Sequence, residues 1–296
     1  MTYSIKRAAV LGSGVMGSGI AAHLANVGIQ TMMLDMVPQT LTEHEKKKGL
    51  TLDDPEVRNR LATLSKQALM KQKPSPITTK ENLDLIEVGN FSDDIKRVAD
   101  VDWVIEVVIE DLDIKKDLYK IIDQYYKKGT IVSSNTSGIS VEKMIADCSR
   151  DLRSHFLGTH FFNPPRYLRL LEIIPTKDTD EAVLSFMKTF GEEQLGKGVV
   201  EAKDTPNFIA NRIGTYGLLV TVHEMIKGAY SIGEVDSITG PLIGRPKSAT
   251  FRTLDIVGLD TLIHVANNVY DKVGGVEKEV FEILHFMRIV QVKGLL

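Results

Sequence analysis

Short β-branched apolar runs alternate with segments of helical periodicity through the first two thirds of the chain, a pattern that predicts a parallel sheet wrapped by helices. Residues 8–11 read as a strand, Val15–Asn26 as a helix with Gly28 at its C′ position, and residues 29–34 as a second strand finishing at Asp35. Between residues 38 and 73 the pattern turns helical and polar. Asp54 and Pro55 supply a cap and first-turn pair for a helix through Met70, which Lys73-Pro74-Ser75-Pro76 then stops. Strands resume at 85–88 and 103–107, a helix follows over 112–126, and residues 130–134 form the next strand. Two further apolar runs, 156–162 and 168–174, flank Asn163-Pro164-Pro165-Arg166, whose prolines favour a tight reversal and so an antiparallel pair. Beyond residues 198–202, Asp204-Thr205-Pro206 opens a stretch that is helix-period almost to the end. No internal repeat interrupts this order.

At 296 residues the chain accommodates about two domains of roughly 150 residues each. Its 36 Lys+Arg against 39 Asp+Glu give a net charge of −3, which supplies no global attraction to nucleic acid or to an anionic membrane. The expected ligand is therefore small. Lys6 and Arg7 before an apolar stretch imitate a secretory signal, but Gly12, Gly14, Gly17 and Gly19 break the run that such a signal needs. Elsewhere charged residues such as Glu106, Glu110 and Glu224 interrupt every apolar segment short of bilayer length, so no membrane span and a cytoplasmic location are expected. The lone Cys148 makes no internal disulfide, fits a reducing compartment and reads as an ordinary small hydrophobe. No metal-ligand constellation is present.

Gly12-Ser13-Gly14-Val15-Met16-Gly17 matches G-x-G-x-x-G directly after a strand and at the opening of a helix. There the first glycine permits a tight turn, the second lets the backbone approach a pyrophosphate, and the third allows close helix–strand packing. Asp35, at the end of the next strand, is placed to accept hydrogen bonds from an adenosine ribose and to repel a 2′-phosphate, so NAD is favoured over NADP. Plainer readings are a chance glycine turn and a solvated aspartate. The expected fold class is α/β: a Rossmann-type doubly wound sheet over residues 1–203 with a helical excursion at about 38–73, then an all-helical domain over 204–296.

Four later stretches narrow the chemistry: Ser134-Asn135-Thr136-Ser137, His160-Phe161-Phe162-Asn163-Pro164, Leu171-Glu172-Ile173-Ile174, and Asn207-Phe208-Ile209-Ala210-Asn211-Arg212. With the glycine turn and Val104-Ile105-Glu106-Val107-Val108-Ile109-Glu110, and in this order over nearly the whole chain, they resemble the L-3-hydroxyacyl-CoA dehydrogenase family of fatty-acid β-oxidation. Their surroundings are most similar to the dehydrogenase module of bacterial multifunctional β-oxidation proteins. The resemblance implies NAD-dependent, reversible oxidation of (S)-3-hydroxyacyl-CoA to 3-oxoacyl-CoA, with His160 as catalytic base and Glu172 as its partner. It implies that Ser137 and Asn211 bond the substrate oxygens, that Glu110, Lys115, Ser137 and Asn163 contact NAD, and that Met16 packs beneath the cofactor. Removing a hydroxyl proton as hydride leaves carbon calls for a neutral imidazole, and a carboxylate beside it sets the tautomer and stabilises the imidazolium.

Each residue also has a bland reading. His160 could be a core histidine, Glu172 an outward carboxylate on a half-exposed strand, Ser137 a helix cap, Asn211 a surface amide and Lys115 a solvated charge. Glu110 and Lys115 stand five apart, which is not helical neighbour spacing. Between Lys46 and Lys73, eight basic residues face three acidic ones, so the excursion, through Lys66 and Lys71, is expected to attract the phosphates of coenzyme A; a solvated basic helix is the competing view. Members of the family continue into a glycine-rich segment where this chain ends. The helical domain is therefore expected to be truncated, whether the chain is a fragment of a multifunctional protein is left open, and a homodimer through that domain is an inherited expectation only. A non-catalytic NAD-binding module and a dehydrogenase of a free hydroxy acid remain alternatives.

Overall fold

Ala8, Ala9, Val10 and Leu11 form an uncharged run suited to burial on both faces of a sheet, and in the computed structural model, which describes residues 3–283, all four are wholly buried. They belong to β1 (Arg7–Leu11), which leads through α1 (Val15–Asn26) into β2 (Gln30–Asp35). The chain then leaves the sheet through α2 (Glu43–Lys47), α3 (Pro55–Arg58) and α4 (Arg60–Ala68) before returning as β3 (Ile86–Asn90). After α5 (Phe91–Asp94) come β4 (Trp103–Glu106), α6 (Leu112–Tyr125) and β5 (Ile131–Ser134). Two short helices, α7 (Val141–Met144) and α8 (Arg150–Ser154), precede β6 (Phe156–Phe161), β7 (Leu170–Pro175), α9 (Glu181–Glu193) and β8 (Gly198–Glu201).

The strands form one sheet in the order β3-β2-β1-β4-β5-β6-β7-β8. Every pairing from β3 through β6 is parallel, β7 runs antiparallel to β6, and β8 is parallel to β7. Strand order reverses at β1, between β2 and β4, so the crevice for a ligand opens beyond the carboxyl ends of β1 and β4. Beneath it, Trp103, Ile105, Leu157, Leu171 and Ile173 from the sheet pack with Ile20 and Leu24 of α1 and Val183 and Met187 of α9. This is the doubly wound α/β architecture expected from the sequence.

Differences lie in the helices. The excursion is three short helices, not one run from Asp54 to Met70: Asn59 ends α3 at φ −97°, ψ 7° and starts α4 from the same conformation. Helix α9 was not anticipated, although Asp180 followed by buried Val183, Leu184, Met187 and Phe190 carries the periodicity of a helix on a sheet. Where expectation named a C′ glycine, Gly28 has φ +84°, and the Gly28 and Ile29 amides close back on Ala25 and Leu24 carbonyls.

The described chain divides into two compact units, Met1–Asp204 and Thr205–Leu296. The second contains α10 (Ala210–Lys227), α11 (Ile232–Ile238), α12 (Phe251–Val257), α13 (Leu259–Tyr270) and α14 (Val276–Val280) around Leu219, Val222, Phe251, Leu254, Leu262 and Ala266. The expected early close of this domain concerns the chain's end, where residues 284–296 lie outside the described residues.

One titratable group is built into the α1–sheet contact. His23, in the last turn of α1, is buried, its Nε2 lies 3.0 Å from the Leu195 carbonyl, and its buried Nδ1 has no hydrogen-bond partner. Burial, reinforced by the Lys197 charge, pulls its pKa from 6.5 to about 4. The unfolded chain thus takes up this proton below pH 6.5 while the folded chain refuses it until about pH 4. Stability that is full above 6.5 is lost over that window, by about 3 kcal/mol at most. Unfolding midpoints measured in steps from pH 7 to pH 4 should fall less steeply for His23→Gln, which keeps an amide donor and cannot titrate; parallel slopes would assign the acid loss elsewhere.

Candidate active site

The glycine turn is shaped by contacts that exclude side chains. Gly12 has φ +112°, and a Cβ there would lie 2.5 Å from the Val107 carbonyl oxygen of the neighbouring strand end. A Cβ on Gly17 would lie 1.9 Å from the Gly12 carbonyl oxygen, so α1 can start this close to β1 only without one. Gly14, the N-cap of α1, faces open space with nothing within 4 Å, which leaves the helix N-terminus approachable by an anion. Asp35 closes the turn from the side. One of its carboxylate oxygens accepts the Ser13 amide at 2.7 Å and the Ser13 hydroxyl, and the other accepts the Met36 amide at 2.7 Å. Met16 is half-buried against the core just below. A cleft of about 670 Å³ runs from Gly12, Gly14 and Asp35 between apolar walls that include Phe91, Val107, Ile114 and Leu118. The open glycine cradle, the helix N-terminus and a half-buried carboxylate fit a dinucleotide with a free adenosine ribose.

Beside the turn, a buried charge cluster ties three elements together. Glu106 ends β4 with no exposure; its Oε1 accepts Lys115 Nζ at 2.6 Å and the Val108 amide at 2.8 Å, and its Oε2 accepts Ser134 Oγ at 2.6 Å and Tyr119 OH at 3.1 Å. Lys115, 1% exposed, also reaches the Val108 carbonyl at 3.3 Å and Glu110 Oε2 at 3.4 Å. Lys115 is thus neither a solvated charge nor on the open wall of the cleft. Glu110 in turn accepts Thr136 Oγ1 at 2.6 Å and the amides of Ser137 and Gly138 at 3.0 and 3.1 Å. Burial pushes the Glu110 carboxyl up, yet the Lys115 charge and these hydrogen bonds outweigh it and hold the group below its usual range. Glu106, Tyr119 and Ser134 were missed as a set by sequence reasoning. The available signal was a carboxylate on an apolar strand together with Lys115 and Tyr119 four apart on one helix face.

His160 and Glu172 face each other directly in the antiparallel β6–β7 pair, with Nδ1 and Oε2 2.7 Å apart. Both are buried, so Glu172 is not an outward strand residue, and Phe162 lies with its ring centroid 4.4 Å from that of His160. The amide of Phe161 donates to Asn135 Oδ1 at 2.9 Å, linking the ends of β5 and β6. Because β1, β2, β4, β5 and β6 are parallel, the glycine turn, Asp35, Glu110, Ser137, His160 and Asn163 all stand at one edge of the sheet. Ser137 is half-buried and is not a helix cap, a place taken by Ser140; Asn163 is exposed at the start of the reversal. Asn211 lies in the second unit, half-buried on the first turn of α10. Lys66 on α4 donates to the Ile86 carbonyl at 2.6 Å, pinning the excursion to β3. Among the described residues no cluster of His, Cys, Asp or Glu has the makings of a metal site.

Comparison with known proteins gives a consistent picture. A family model described as 3-hydroxyacyl-CoA dehydrogenase, NAD binding domain, matches residues 7–205. The chain is 64% identical over 290 residues to a probable 3-hydroxyacyl-CoA dehydrogenase of Bacillus subtilis, covering 98% of this chain and 37% of that protein. It is 47% identical over 265 residues to a protein of the same description from Deinococcus radiodurans, covering 90% of this chain and 72% of that one. The crystal structure of Mycobacterium tuberculosis FadB2 is similar at a TM-score of 0.77 and 27% identity over 98% of this chain and 95% of that chain. The chain therefore spans well under half the length of the Bacillus relative.

The buried Glu106–Lys115 pair makes a stability test independent of any ligand. Lys115→Met leaves Glu106 buried without its counter-ion, and breaking such a pair costs about 3–5 kcal/mol. Thermal unfolding should show a fall of many degrees for this variant, against almost none for Lys120→Met on the exposed face of the same helix; equal midpoints would mean that the pair carries no stability.

Proposed function

The chain belongs to the family of the 3-hydroxyacyl-CoA dehydrogenase NAD-binding domain, and on that premise we propose that it transfers hydride reversibly between C3 of an (S)-3-hydroxyacyl-CoA and NAD. The observation that carries the reading is the buried 2.7 Å His160–Glu172 pair at the sheet edge where the glycine turn also stands. With Nδ1–H donated to Glu172, the Nε2 lone pair of His160 accepts the proton of the C3 hydroxyl, and Glu172 stabilises the imidazolium so formed. Bound NAD supplies the acceptor for the hydride. In the reverse direction His160 returns the proton to the forming alkoxide.

The remaining residues place the reactants. Gly12 and Gly17 shape the turn, so that the backbone amides at the start of α1 beside the open Gly14 receive the pyrophosphate, Met16 packs under it, and Asp35 takes the adenosine ribose and disfavours NADP. Glu110, held down by Lys115 and by the Ser137 loop, serves with Ser137 and Asn163 at the nicotinamide end. Ser137 hydrogen-bonds a substrate oxygen, the role that the family resemblance also gives to Asn211. Lys66 spends one of its three N–H donors on Ile86 and directs the others, with Lys71, to the phosphates of coenzyme A. Cys148 takes no part: burial pushes its thiol up to about 12. No helix among the described residues is long and apolar enough to cross a membrane, and the reading places the enzyme in the cytoplasm. The exposed Leu242 and Ile256 of the helical unit support self-association as a homodimer.

Two measurements test this. In a coupled assay of NADH oxidation with acetoacetyl-CoA, His160→Gln should lower kcat by about 10²–10⁴-fold while its NADH Kd, from fluorescence titration, stays within about threefold; retained turnover would sink the assigned base, and absent turnover in the unmutated protein would leave a nucleotide-binding module. Charge reversal at Lys66 and Lys71 to Glu should raise KM for acetoacetyl-CoA several-fold and leave a substrate truncated at pantetheine little changed. Equal effects on both substrates would remove the excursion from substrate binding.

A further inference from the structure

Lys197 is a buried cation that the reaction just described does not use. It stands between α9 and β8, 5% exposed, and its Nζ donates to the carbonyl of Leu168 at 2.9 Å and to that of Pro165. The ring of Phe161 lies below it, with 5.7 Å from Nζ to the centroid. No carboxylate pairs with it among the described residues. The nearest titratable group on α1, His23, is itself held neutral in part by the Lys197 charge, and Arg166 adds a second cation nearby. Burial alone pulls the Lys197 ammonium down to about 8.

Burying an ammonium without a counter-ion costs several kcal/mol, and a Met or Leu of similar length would fill the same space without that cost. The charge is therefore informative about what surrounds it. Its two acceptors are carbonyls of one turn, in which the Tyr167 and Leu168 amides both bond back to the Pro164 carbonyl at 3.0 Å. Carbonyls drawn together in this way repel each other unless a donor stands between them, and an ammonium supplies several donors from one atom. Other faces of the turn are held independently. Arg166 donates to the carbonyls of Ser75 and Ile77 at 2.7 and 3.0 Å, Tyr167 OH donates to Ser75 at 2.8 Å, and Pro165 packs where a Cβ on Gly19 would be 2.9 Å away. Lys197 braces the turn from its buried side. Asn163, three residues beyond His160, leads directly into it.

We propose that Lys197 is a positioning residue of the active site: its ammonium gathers the Pro165 and Leu168 carbonyls and so fixes Asn163 relative to His160 at the nicotinamide end of the cofactor. The proposal rests on the reading that Asn163 contacts the cofactor, and it adds the group that keeps Asn163 in place. Lys197 acts through the turn and touches no reactant.

A double-mutant cycle separates positioning from general support. In the full chain, Asn163→Ala, Lys197→Met and the double variant are compared for kcat, KM for NADH, KM for acetoacetyl-CoA and NADH Kd. Asn163→Ala should raise KM for NADH by about tenfold. Lys197→Met should raise it similarly, with KM for acetoacetyl-CoA within about twofold, and the double variant should be no worse than either single one because both remove the same contact. A merely structural loss would lower the active fraction and hence kcat, leave KM for NADH unchanged and combine multiplicatively with Asn163→Ala. Either of those results for Lys197→Met overturns the proposal. If Asn163→Ala alone leaves KM for NADH unchanged, the cofactor reading of Asn163 fails first and the proposal falls with it. Should Lys197→Met not fold, Lys197→Gln, which removes the charge but keeps a donor, carries the same comparison.

Discussion

The antiparallel return of β7 along β6 is the constraint on which the proposed chemistry depends. Five of its pairings are in register, and the one between His160 and Glu172 brings imidazole and carboxylate to 2.7 Å without any loop contributing to the distance. A slip of β7 by one residue would send Glu172 to the opposite face of the sheet, away from His160. Two features oppose that slip. On the β6 side the sheet continues into the parallel β5, and on the β7 side into β8, so neither strand is an edge free to slide. Leu171 and Ile173 are wholly buried on the face opposite Glu172, and sliding β7 by one position would put the Glu172 carboxylate in the place of one of them. The precision of the pair thus comes from the sheet, which is more rigid than any loop.

Around that pair, the sheet edge is organised by buried charge. Glu106, Lys115 and Glu110 form a chain running from the end of β4 through α6 to the loop after β5, and Lys197 performs a comparable task beyond β6. Such groups stabilise a fold poorly compared with apolar residues of the same size, since desolvation offsets most of their attraction. What they add is directionality: a carboxylate with four donors around it tolerates only small displacements of each donor. Strand ends and loops, where no ladder of backbone hydrogen bonds continues, are the places that need this. Asn135 serves the same end with a neutral group, accepting the Phe161 amide through its side chain.

Reading the chain without coordinates recovers the β1–α1–β2 unit, the parallel order and the β6–β7 pairing, because each has a local cause: β-branched runs, a C′ glycine and a proline reversal. The elements that escape, α9 and the division of the excursion at Asn59, have weaker local signatures and are decided by what they pack on. Among site residues, the glycine turn, Asp35, His160 and Glu172 are readable because turn geometry and strand pairing bring them together. Lys115 shows the limit. Its spacing from Glu110 suggests a relation, but only the fold reveals that its nearest partner is Glu106, nine residues away on another element and invisible to any helical periodicity. Lys197 is likewise silent in sequence, where one lysine among many carries no mark of burial.

Charge counted along the chain and charge presented in space differ most in the helical excursion. Eight basic residues against three acidic ones between Lys46 and Lys73 suggest a strong local field. In the fold, Lys46 pairs with Glu43, Lys48 with Glu56, Arg58 with Asp93 through two 2.7 Å hydrogen bonds, and Arg60 with Glu45. Three of those partners, Glu43, Glu45 and Asp93, lie outside the counted interval, so much of the apparent excess is cancelled at contact distance. Salt leaves contact pairs largely intact and screens separated charges beyond about 10 Å, so what a polyanion would meet at range is a modest field. Recognition of a nucleotide phosphate by this segment would then rest on individual lysines whose donors remain available, Lys66 and Lys71 first among them. Specificity of that kind is local and geometric, and it places more of the burden of substrate selection on short-range hydrogen bonds than on long-range attraction.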